Sequence, residues 1–427
     1  MGESTGTLRR VARIGVRATL SVALALGVLS CSDTSDRAIR IGVLMPYSPE
    51  TSDVVLAMQM AIDDINGAGG ANGRPLELVI YDVMWDEDVS YSAFHQAVDD
   101  GAVAMIGGYL SRLAVREAEA ALELHVPVVG CCSTSDELTN ANPPGADRYF
   151  FRVAPPDRIQ SVVLAARAYD RPDLACRSLA ILHTDDSYGS PLAASLATEF
   201  EARGGAVVAN VSHPFFQQDW TTYVATVAAG TPDCIALISN VDDARGFRST
   251  WIGEGRPAVH WLGTDSVIGE ATTPMYADNA LSDGIIASAP WSFDRPEAAA
   301  FVARFEAEVG HTPTPPASGS FNAAALIGLA IVAADRLDGA SVRDAIVGVA
   351  NAGGTPIEAD DLAAGVFAAN AGEDLDFVGI GGRLEFDACG DVLGAYALFR
   401  LDASAPGGFT LLETGIEPMN VPSPCPQ

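Results

Sequence analysis

Two short segments rich in glycine and hydroxyl side chains are the parts of the sequence whose residue types suggest a binding site. Residues 107–111 read Gly-Gly-Tyr-Leu-Ser, and residues 131–135 read Cys-Cys-Ser-Thr-Ser. Hydroxyl groups, together with the free backbone amides at the start of a helix, can hold an anionic group such as a carboxylate. The two segments would form such a site only if the fold brings them together.

The residues around these segments predict the elements that would do so. Residues 104–106 and 126–130 are apolar and predict strands, and residues 113–124 carry apolar positions at helical spacing. In a parallel sheet, the carboxyl ends of neighbouring strands lie at the same edge. Ser111 and the turn at residues 133–135 should therefore face one crevice.

Strands and helices alternate along most of the chain, which is typical of a parallel, doubly wound sheet. A turn-rich segment at 140–145 and a short aromatic strand at 149–153 indicate a crossing into a second lobe, where the alternation repeats. Residues 284–288 predict a strand that returns toward the first lobe, and residues 382–387 and 394–401 predict a hairpin. We therefore predict an α/β fold with two doubly wound parallel-sheet lobes joined by crossover strands.

These features predict that the chain is divided into four parts. They are a signal peptide at 1–30, a first lobe at 39–153 plus about 285–350, a second lobe at 154–283 plus about 355–410, and a C-terminal tail at 411–427.

Residues 1–30 have the features of an export signal. Four arginines precede an apolar run at 18–29, which is too short for an ordinary membrane span. The run ends in Val-Leu-Ser-Cys, which resembles a bacterial lipobox with Cys31 as the lipidated residue; cleavage by an ordinary signal peptidase nearby is the alternative. No second apolar run reaches spanning length. We expect an exported protein, periplasmic or at the cell surface, that meets the membrane only through a lipid anchor on Cys31.

The charge balance excludes several classes of function. The chain has 25 basic residues, all of them arginine, against 55 acidic ones, and its net charge is −30. Nucleic acid is a poor partner for such a chain, because binding it requires basic patches. The absence of lysine excludes Schiff-base chemistry and a phosphate-loop lysine. Beyond the export signal there is no Gly-x-Ser-x-Gly or His-Glu-x-x-His motif, so no catalytic residue, cofactor or metal site is predicted.

Six cysteines follow Cys31, in a compartment where disulfides persist. Cys131 and Cys132 are adjacent and are predicted to remain free thiols, since a bond between neighbours would be strained. The other four are predicted to form the pairs Cys176–Cys234 and Cys389–Cys425.

Several motifs, taken in order, resemble those of the leucine/isoleucine/valine-binding type of periplasmic and lipid-anchored proteins, which are the substrate-binding components of ABC importers. The motifs are IRIGVLMP at 39–46, VPVVGCCSTSDELT at 126–139, ILHTDDSYGSPLA at 181–193 and HWLGTDSVIGE at 260–270. The resemblance covers about residues 39–401. It implies the type I periplasmic-binding-protein fold, a small-molecule ligand such as an amino acid or small carboxylate held between the lobes, and an ABC permease as partner.

The resemblance also implies roles for individual residues. Ser111 would bind the ligand's carboxylate, Asp265 would hold its ammonium group, and Tyr188 would line the site. The full implied set is Ser111, Cys132, Ser133, Thr134, Tyr188, Asn240 and Asp265. Asn240 lies in a Ser-Asn-Val segment where amino-acid binders often carry a tyrosine, and this departure puts a branched-chain or general amino-acid ligand in doubt.

Other interpretations of the same residues stay open. Ser111 and Asp265 could be helix or turn caps, and Tyr188 could only pack between the lobes. The leading hypothesis is a monomeric solute-binding lipoprotein. One alternative is a sensing or interaction protein on the same fold; a less favoured one is an enzyme in which His183, near two aspartates, is the base.

Overall fold

The computed structural model describes residues 38–48, 51–141, 143–271, 281, 283–290, 293, 295–351, 353–405, 408–417 and 425. The predicted signal peptide and Cys31 lie outside the described residues.

The first lobe begins as a sheet of five parallel strands whose helices alternate with them along the chain. Its elements are β1 (Ile39–Met45), α1 (Ser52–Gly67), β2 (Leu76–Asp82), α2 (Glu87–Asp99), β3 (Ala102–Gly107), α3 (Ser111–Leu124), β4 (Val128–Gly130), α4 (Glu137–Ala141) and β5 (Phe150–Arg152). The strand order is β2-β1-β3-β4-β5. Strands β1, β3 and β4 are almost wholly buried, as expected for strands covered by helices on both faces.

The second lobe repeats this alternation. Its elements are α5 (Asp157–Asp170), β6 (Ser178–Thr184), α6 (Gly189–Ala202), β7 (Ala206–His213), α7 (Thr221–Ala229), β8 (Cys234–Ile238), α8 (Val241–Gly253), β9 (His260–Gly263), α9 (Asp265–Ala271) and β10 (Ile286–Pro290). Strands β6 to β10 pair in parallel.

The chain then returns to the first lobe and finally re-enters the second. The returning elements are α10 (Pro296–Val309), α11 (Pro315–Ala333), α12 (Gly339–Ala350), β11 (Thr355–Glu358), α13 (Leu362–Asn370), β12 (Leu375–Gly379) and β13 (Gly382–Arg383). The last two strands, β14 (Tyr396–Leu401) and β15 (Phe409–Ile416), complete the second sheet in the order β15-β14-β10-β9-β8-β6-β7. The α/β fold with two mainly parallel sheets is as predicted.

The prediction that the strand at residues 284–288 returns toward the first lobe is wrong. Strand β10 pairs in parallel with β9 and antiparallel with β14, so it is a central strand of the second sheet rather than a link back to the first. The chain leaves the second lobe only after β10. An apolar run predicts a buried strand, but it does not encode which sheet buries it.

In the C-terminal third, the boundaries of the lobes and of the tail differ from those predicted. Strands β11 to β13 form a small sheet, and Ile357 and Phe377 join the core of the first lobe. The predicted hairpin is wrong, because β13 pairs with β12 whereas β14 pairs with β10 and β15. Strand β15 also occupies the start of the predicted tail. Strand β14 finds its partner β10 more than a hundred residues earlier in the chain, which local alternation does not reveal.

Helix α11 is apolar on all sides because it is the central helix of the first lobe. It packs against α1, α12 and α13, and nearly all of its residues are buried. With 19 residues it is long and apolar enough to cross a membrane, although the sequence predicted no such run after the signal. Its burial inside the lobe accounts for this composition.

Both predicted disulfides are confirmed. Cys176 is bonded to Cys234, and Cys389 is bonded to Cys425, while Cys131 and Cys132 are free. The first bond joins the segment before β6 to the start of β8, and the second fixes Cys425 to the segment between β13 and β14.

A buried ion pair lies where the connections between the lobes meet. Arg152, at the end of β5, donates from Nε to Asp391 Oδ1 at 2.8 Å, and both side chains are almost fully buried. Arg152 also donates to the Ser135 carbonyl at 2.7 Å and to the Thr139 hydroxyl at 2.8 Å. Arg158 of α5 reaches Asp391 Oδ2 at 3.3 Å. The pair thus ties the β5–α5 connection to the connection before β14.

Replacement of Asp391 tests this junction. Burial alone would raise the pKa of Asp391, but the charge and hydrogen bonds of Arg152 hold it below the ordinary 3.8. Its stabilising contribution is therefore present above that value and lost as the pH falls through the lowered pKa. At neutral pH, Asp391→Asn should lower the free energy of unfolding in urea by about 3 kcal/mol, because Arg152 loses its counter-charge. The exposed Asp360→Asn is the control, and equal losses in both variants would contradict the role of the pair.

Candidate functional site

A cleft of about 180 Å³ lies between the two lobes at the carboxyl ends of their parallel strands. A cavity of about 150 Å³ holds a molecule the size of benzene, so this volume suits a small ligand. All seven ligand-binding residues implied by the sequence line this cleft, namely Ser111, Cys132, Ser133, Thr134, Tyr188, Asn240 and Asp265. The first four come from turns of the first lobe, and the last three come from the second.

The first-lobe wall is two turns held together by hydrogen bonds from backbone amides. The Ser133 amide donates to the Gly108 carbonyl at 2.7 Å, and the Ser135 amide donates to Ser111 Oγ at 3.2 Å. Gly108 has φ +65°, and a Cβ there would lie 2.7 Å from Ser133 Oγ, so only glycine fits. Ser133 Oγ is buried and has no hydrogen-bond partner among the described residues. This wall therefore offers hydroxyl groups to the cleft.

Glu117 supports this wall from beneath. It is fully buried on α3, where Oε2 accepts from the Gly108 amide at 2.7 Å and Oε1 accepts from the Ser90 hydroxyl at 2.9 Å. Burial raises the pKa of Glu117 to about 7, although both hydrogen bonds favour the charged form. Glu117 was not predicted from the sequence, because a glutamate on a helix is normally exposed.

The second-lobe wall centres on Tyr188 and Asp265. The Tyr188 hydroxyl lies 2.8 Å from Thr264 Oγ1 and 3.1 Å from Asp265 Oδ1, and it can donate to either oxygen. Burial raises the pKa of Tyr188 well above its ordinary value, and the charge of Asp265 adds to this, so the phenol keeps its proton. Tyr188 therefore orients the Asp265 carboxylate as well as lining the cleft.

Asp265 is a carboxylate without a basic partner. It forms no ion pair with any described residue, and it lies at the first position of α9, directly after β9. Burial raises its pKa, whereas hydrogen bonds from Gln160 and Tyr188 lower it. A partly buried carboxylate in this setting favours a positively charged group in the cleft.

Asn240 and Cys132 are less suited to bind a ligand than the other residues that line the cleft. The Asn240 side chain caps α8, where it accepts from the Asp243 amide at 2.9 Å and donates to Asp243 Oδ2 at 2.6 Å. Cys132 Sγ lies 3.8 Å from Ser320 Oγ, and burial raises the pKa of this thiol well above its ordinary value. Cys132 is therefore a neutral, largely apolar wall, and the amide of Asn240 is already engaged.

The residues weighed as enzymatic groups have structural contacts. His183 Nδ1 lies 2.8 Å from the Thr184 carbonyl, and Asp186 Oδ1 accepts from the amides of Tyr188 and Gly189 at the start of α6. These contacts account for the conformation of both side chains.

Two contacts join the lobes across the mouth of the cleft. The Arg112 guanidinium carbon lies 4.8 Å from the centre of the Phe215 ring, and Ser135 Oγ donates to the Ser187 carbonyl. Neither contact could be predicted from the sequence. Arg112 follows the predicted Ser111 directly, but no pattern pointed to Phe215. The described structure therefore has its lobes in contact around the cleft.

Comparison with known proteins agrees with this geometry. The periplasmic binding protein family matches residues 38–371, and the chain therefore belongs to that family. A substrate-binding protein of a chemotactic signal transduction system, BasB of Halobacterium salinarum, is 23% identical over 385 residues, which are 88% of this chain and 90% of BasB. The predicted resemblance to the leucine/isoleucine/valine-binding type is confirmed.

Solved structures show the same fold. The leucine-binding protein LivK of Thermotoga maritima has a TM-score of 0.73 at 18% identity, over 89% of this chain and 99% of LivK. A solute-binding protein of an ABC transporter from R. palustris, in complex with benzoate, has a TM-score of 0.68 at 18% identity, over 89% of this chain and 97% of that protein. The predicted type I periplasmic-binding-protein fold is thereby confirmed.

Replacement of Glu117 tests how the first-lobe wall is supported. The folded protein binds its proton up to about pH 7, whereas the unfolded chain loses it near 4.5. Stability should therefore fall as the pH rises through this window, by roughly 3 kcal/mol for one such group. Glu117→Gln should remove this fall, measured as the difference from wild type in free energy of unfolding from pH 4 to 8. The exposed Glu373→Gln should keep the wild-type slope, and a Glu117→Gln slope equal to wild type would contradict the assignment.

Proposed function

We propose that this protein is an extracytoplasmic solute-binding protein that captures an amino acid or a related small carboxylate between its two lobes and delivers it to an ABC importer. The observation that carries the proposal is the chemistry of the two walls. Hydroxyl groups line one wall, and on the other Asp265 forms no ion pair with a described residue. A zwitterion presents a carboxylate to the first wall and an ammonium group to the second.

Ligand binding in this arrangement would be coupled to closure of the lobes. Ser111 and Ser133 belong to the first lobe, and Tyr188 and Asp265 belong to the second, so one small ligand can contact both sets only when the lobes are together. The cation–π contact between Arg112 and Phe215 would add to the closed form. Membership of the periplasmic binding protein family supports a location outside the cytoplasm and work with an ABC transporter.

The proposed ligand class includes both amino acids and small carboxylates without an amine. The capping role of Asn240, where amino-acid binders often carry a tyrosine, indicates that one wall of the site differs from theirs. LivK is a leucine-binding protein, and the R. palustris protein was solved with benzoate, so the same fold serves both chemical classes. A sensing role is the second candidate, favoured by the similarity to BasB of a chemotactic system.

The lipid anchor is part of the proposal. Residues 28–31 resemble a lipobox, and we infer that Cys31 is lipidated after removal of the signal. Growth of an expressing bacterium with radioactive palmitate should label the wild-type protein and leave Cys31→Ala unlabelled. Label retained by Cys31→Ala, or absent from wild type, would contradict the anchor without affecting the binding proposal.

Replacement of Asp265 tests the binding proposal. Asp265→Asn keeps an oxygen acceptor for Tyr188 but removes the charge, so binding of an amine-bearing ligand should weaken at least a hundredfold while the thermal unfolding midpoint changes little. The measurement is isothermal titration with the common L-amino acids and small carboxylates, after a thermal-shift screen in which a bound ligand raises the midpoint. Unchanged binding by Asp265→Asn would show that the site is assigned wrongly.

A further inference from the structure

A third side of the cleft carries none of the seven residues that the sequence implied. It is formed by the first turns of helix α11 and by the hairpin turn between β12 and β13, and Asn322 and Gly381 line the cleft from these two segments. Asn322 is only 4% exposed, in a helix that is mainly apolar. Burial of a polar side chain is costly unless it is hydrogen-bonded, so the presence of Asn322 here requires an explanation.

The packing of α11 against the first-lobe wall places Asn322. A Cβ at Gly319 would clash with the Cys131 carbonyl oxygen, so the backbone of the helix approaches this turn closely. Asn322 lies three residues further along on the same face of the helix, where the Cβ atoms of such neighbours are about 5–6 Å apart. Asn322 therefore lies about one helical turn beyond the point where α11 meets the wall.

One half of the Asn322 amide is fixed by the hairpin turn. Oδ1 accepts from the Ile380 amide at 2.9 Å, and because only the oxygen can accept this bond, the other atom of the side-chain amide is the donor Nδ2. Gly379 makes room for the side chain, since a Cβ there would lie 2.8 Å from Oδ1. The backbone of the hairpin thus sets the orientation of the Asn322 amide.

The other half of the amide, Nδ2, has no hydrogen-bond acceptor among the described residues. The atom is not enclosed by protein, and Asn322 lines the cleft, so Nδ2 is open to the cleft. A site that holds a donor in this way rejects a ligand that leaves it unpaired, because the donor then loses its hydrogen bonds to water without replacement. The Asn322 donor therefore selects a ligand that supplies an acceptor.

The charges along the cleft decide which kind of acceptor is favoured. Among the described residues, Arg112 and Arg383 are the basic ones that line it. Arg112 lies 3.5 Å from Glu87 and donates to the Trp85 carbonyl, and Arg383 is paired with the buried Asp376. Both arginines thus have partners already, and a second negative charge on the ligand would be buried without a counter-charge, which is costly. An uncharged oxygen acceptor is therefore favoured over a second carboxylate.

We propose that Asn322 is a further ligand-binding residue, which donates from Nδ2 to an uncharged oxygen of the ligand, such as that of a hydroxyl, carbonyl or carboxamide group. This inference rests on the proposed function and narrows its ligand class. The carboxylate of the ligand would bind to the first-lobe wall, and the second oxygen would lie about one helical turn away, at Asn322. Carboxylates that lack this oxygen would leave the donor unpaired and would bind more weakly.

The test is isothermal titration of the full protein with pairs of compounds that differ in this oxygen. One pair is L-glutamine with 2-aminopentanoate, and the other is 4-hydroxybenzoate with benzoate. Each pair is completed by an analogue with a second carboxylate, which is L-glutamate or terephthalate. In at least one set, wild type should bind the compound with the uncharged oxygen at least tenfold more tightly than either of the other two.

Two variants complete the experiment. Asn322→Asp keeps an oxygen for the Ile380 amide but removes the donor, so the preference within a pair should disappear; the charge that it introduces acts on both members of the pair alike. Asn351→Asp is the matched control, because the Asn351 side chain also accepts from a backbone amide, that of Phe386 at 3.0 Å, but does not line the cleft. It should keep the wild-type preference. The comparison of compounds on wild type needs no variant, so it tests the inference even if Asn322→Asp fails to fold.

The outcomes separate this inference from the proposed function. Equal binding within both pairs, binding confined to compounds without the oxygen, or tighter binding of the analogue with a second carboxylate would overturn the role of Asn322 and leave solute binding standing. A wild-type preference retained by Asn322→Asp would do the same. Binding of none of these compounds and of none of the common L-amino acids would overturn both proposals.

Discussion

Parallel strand pairing is the constraint on which the site depends. In both lobes, the carboxyl ends of adjacent parallel strands must lie at one edge, and the segments that follow them must share it. The turns after β3 and β4 are brought together in this way, as are those after β6, β8 and β9. Because the two edges face each other, side chains from segments more than a hundred residues apart line one small cleft.

The buried ion pair of Arg152 and Asp391 holds the connections between the lobes in place. A buried pair adds little net stability compared with apolar packing, but the loss of one partner is expensive. The pair matters here because of its position, since Arg152 also donates a hydrogen bond to the Ser135 carbonyl beside the cleft. The junction between the lobes and the first-lobe wall are thus parts of one hydrogen-bonded network. Movement of the lobes would therefore displace the turn that carries Ser133 and Thr134.

Much of this could be predicted from the sequence, because the alternation of buried strands and amphipathic helices is a local property. The turns at Gly107–Ser111 and Cys131–Ser135 were predicted correctly in this way. Both disulfides were also predicted correctly, from the places of the cysteines along the chain. Strand partners in the C-terminal third could not be, since β10 and β14 pair across a hundred residues. Glu117 and Asp157 also escaped prediction, because acidic residues on helices are usually exposed and only the packed structure shows that these two are buried.

The central claim is that one ligand contacts both lobes through the two walls of the cleft. Hydrogen–deuterium exchange, followed by mass spectrometry with and without the compound that most raises the unfolding midpoint, tests it directly. We predict that ligand slows amide exchange in peptides from both lobes, at residues 108–111 and 133–135 of the first and 264–268 of the second. Protection confined to one lobe, or found only away from these turns, would contradict the account.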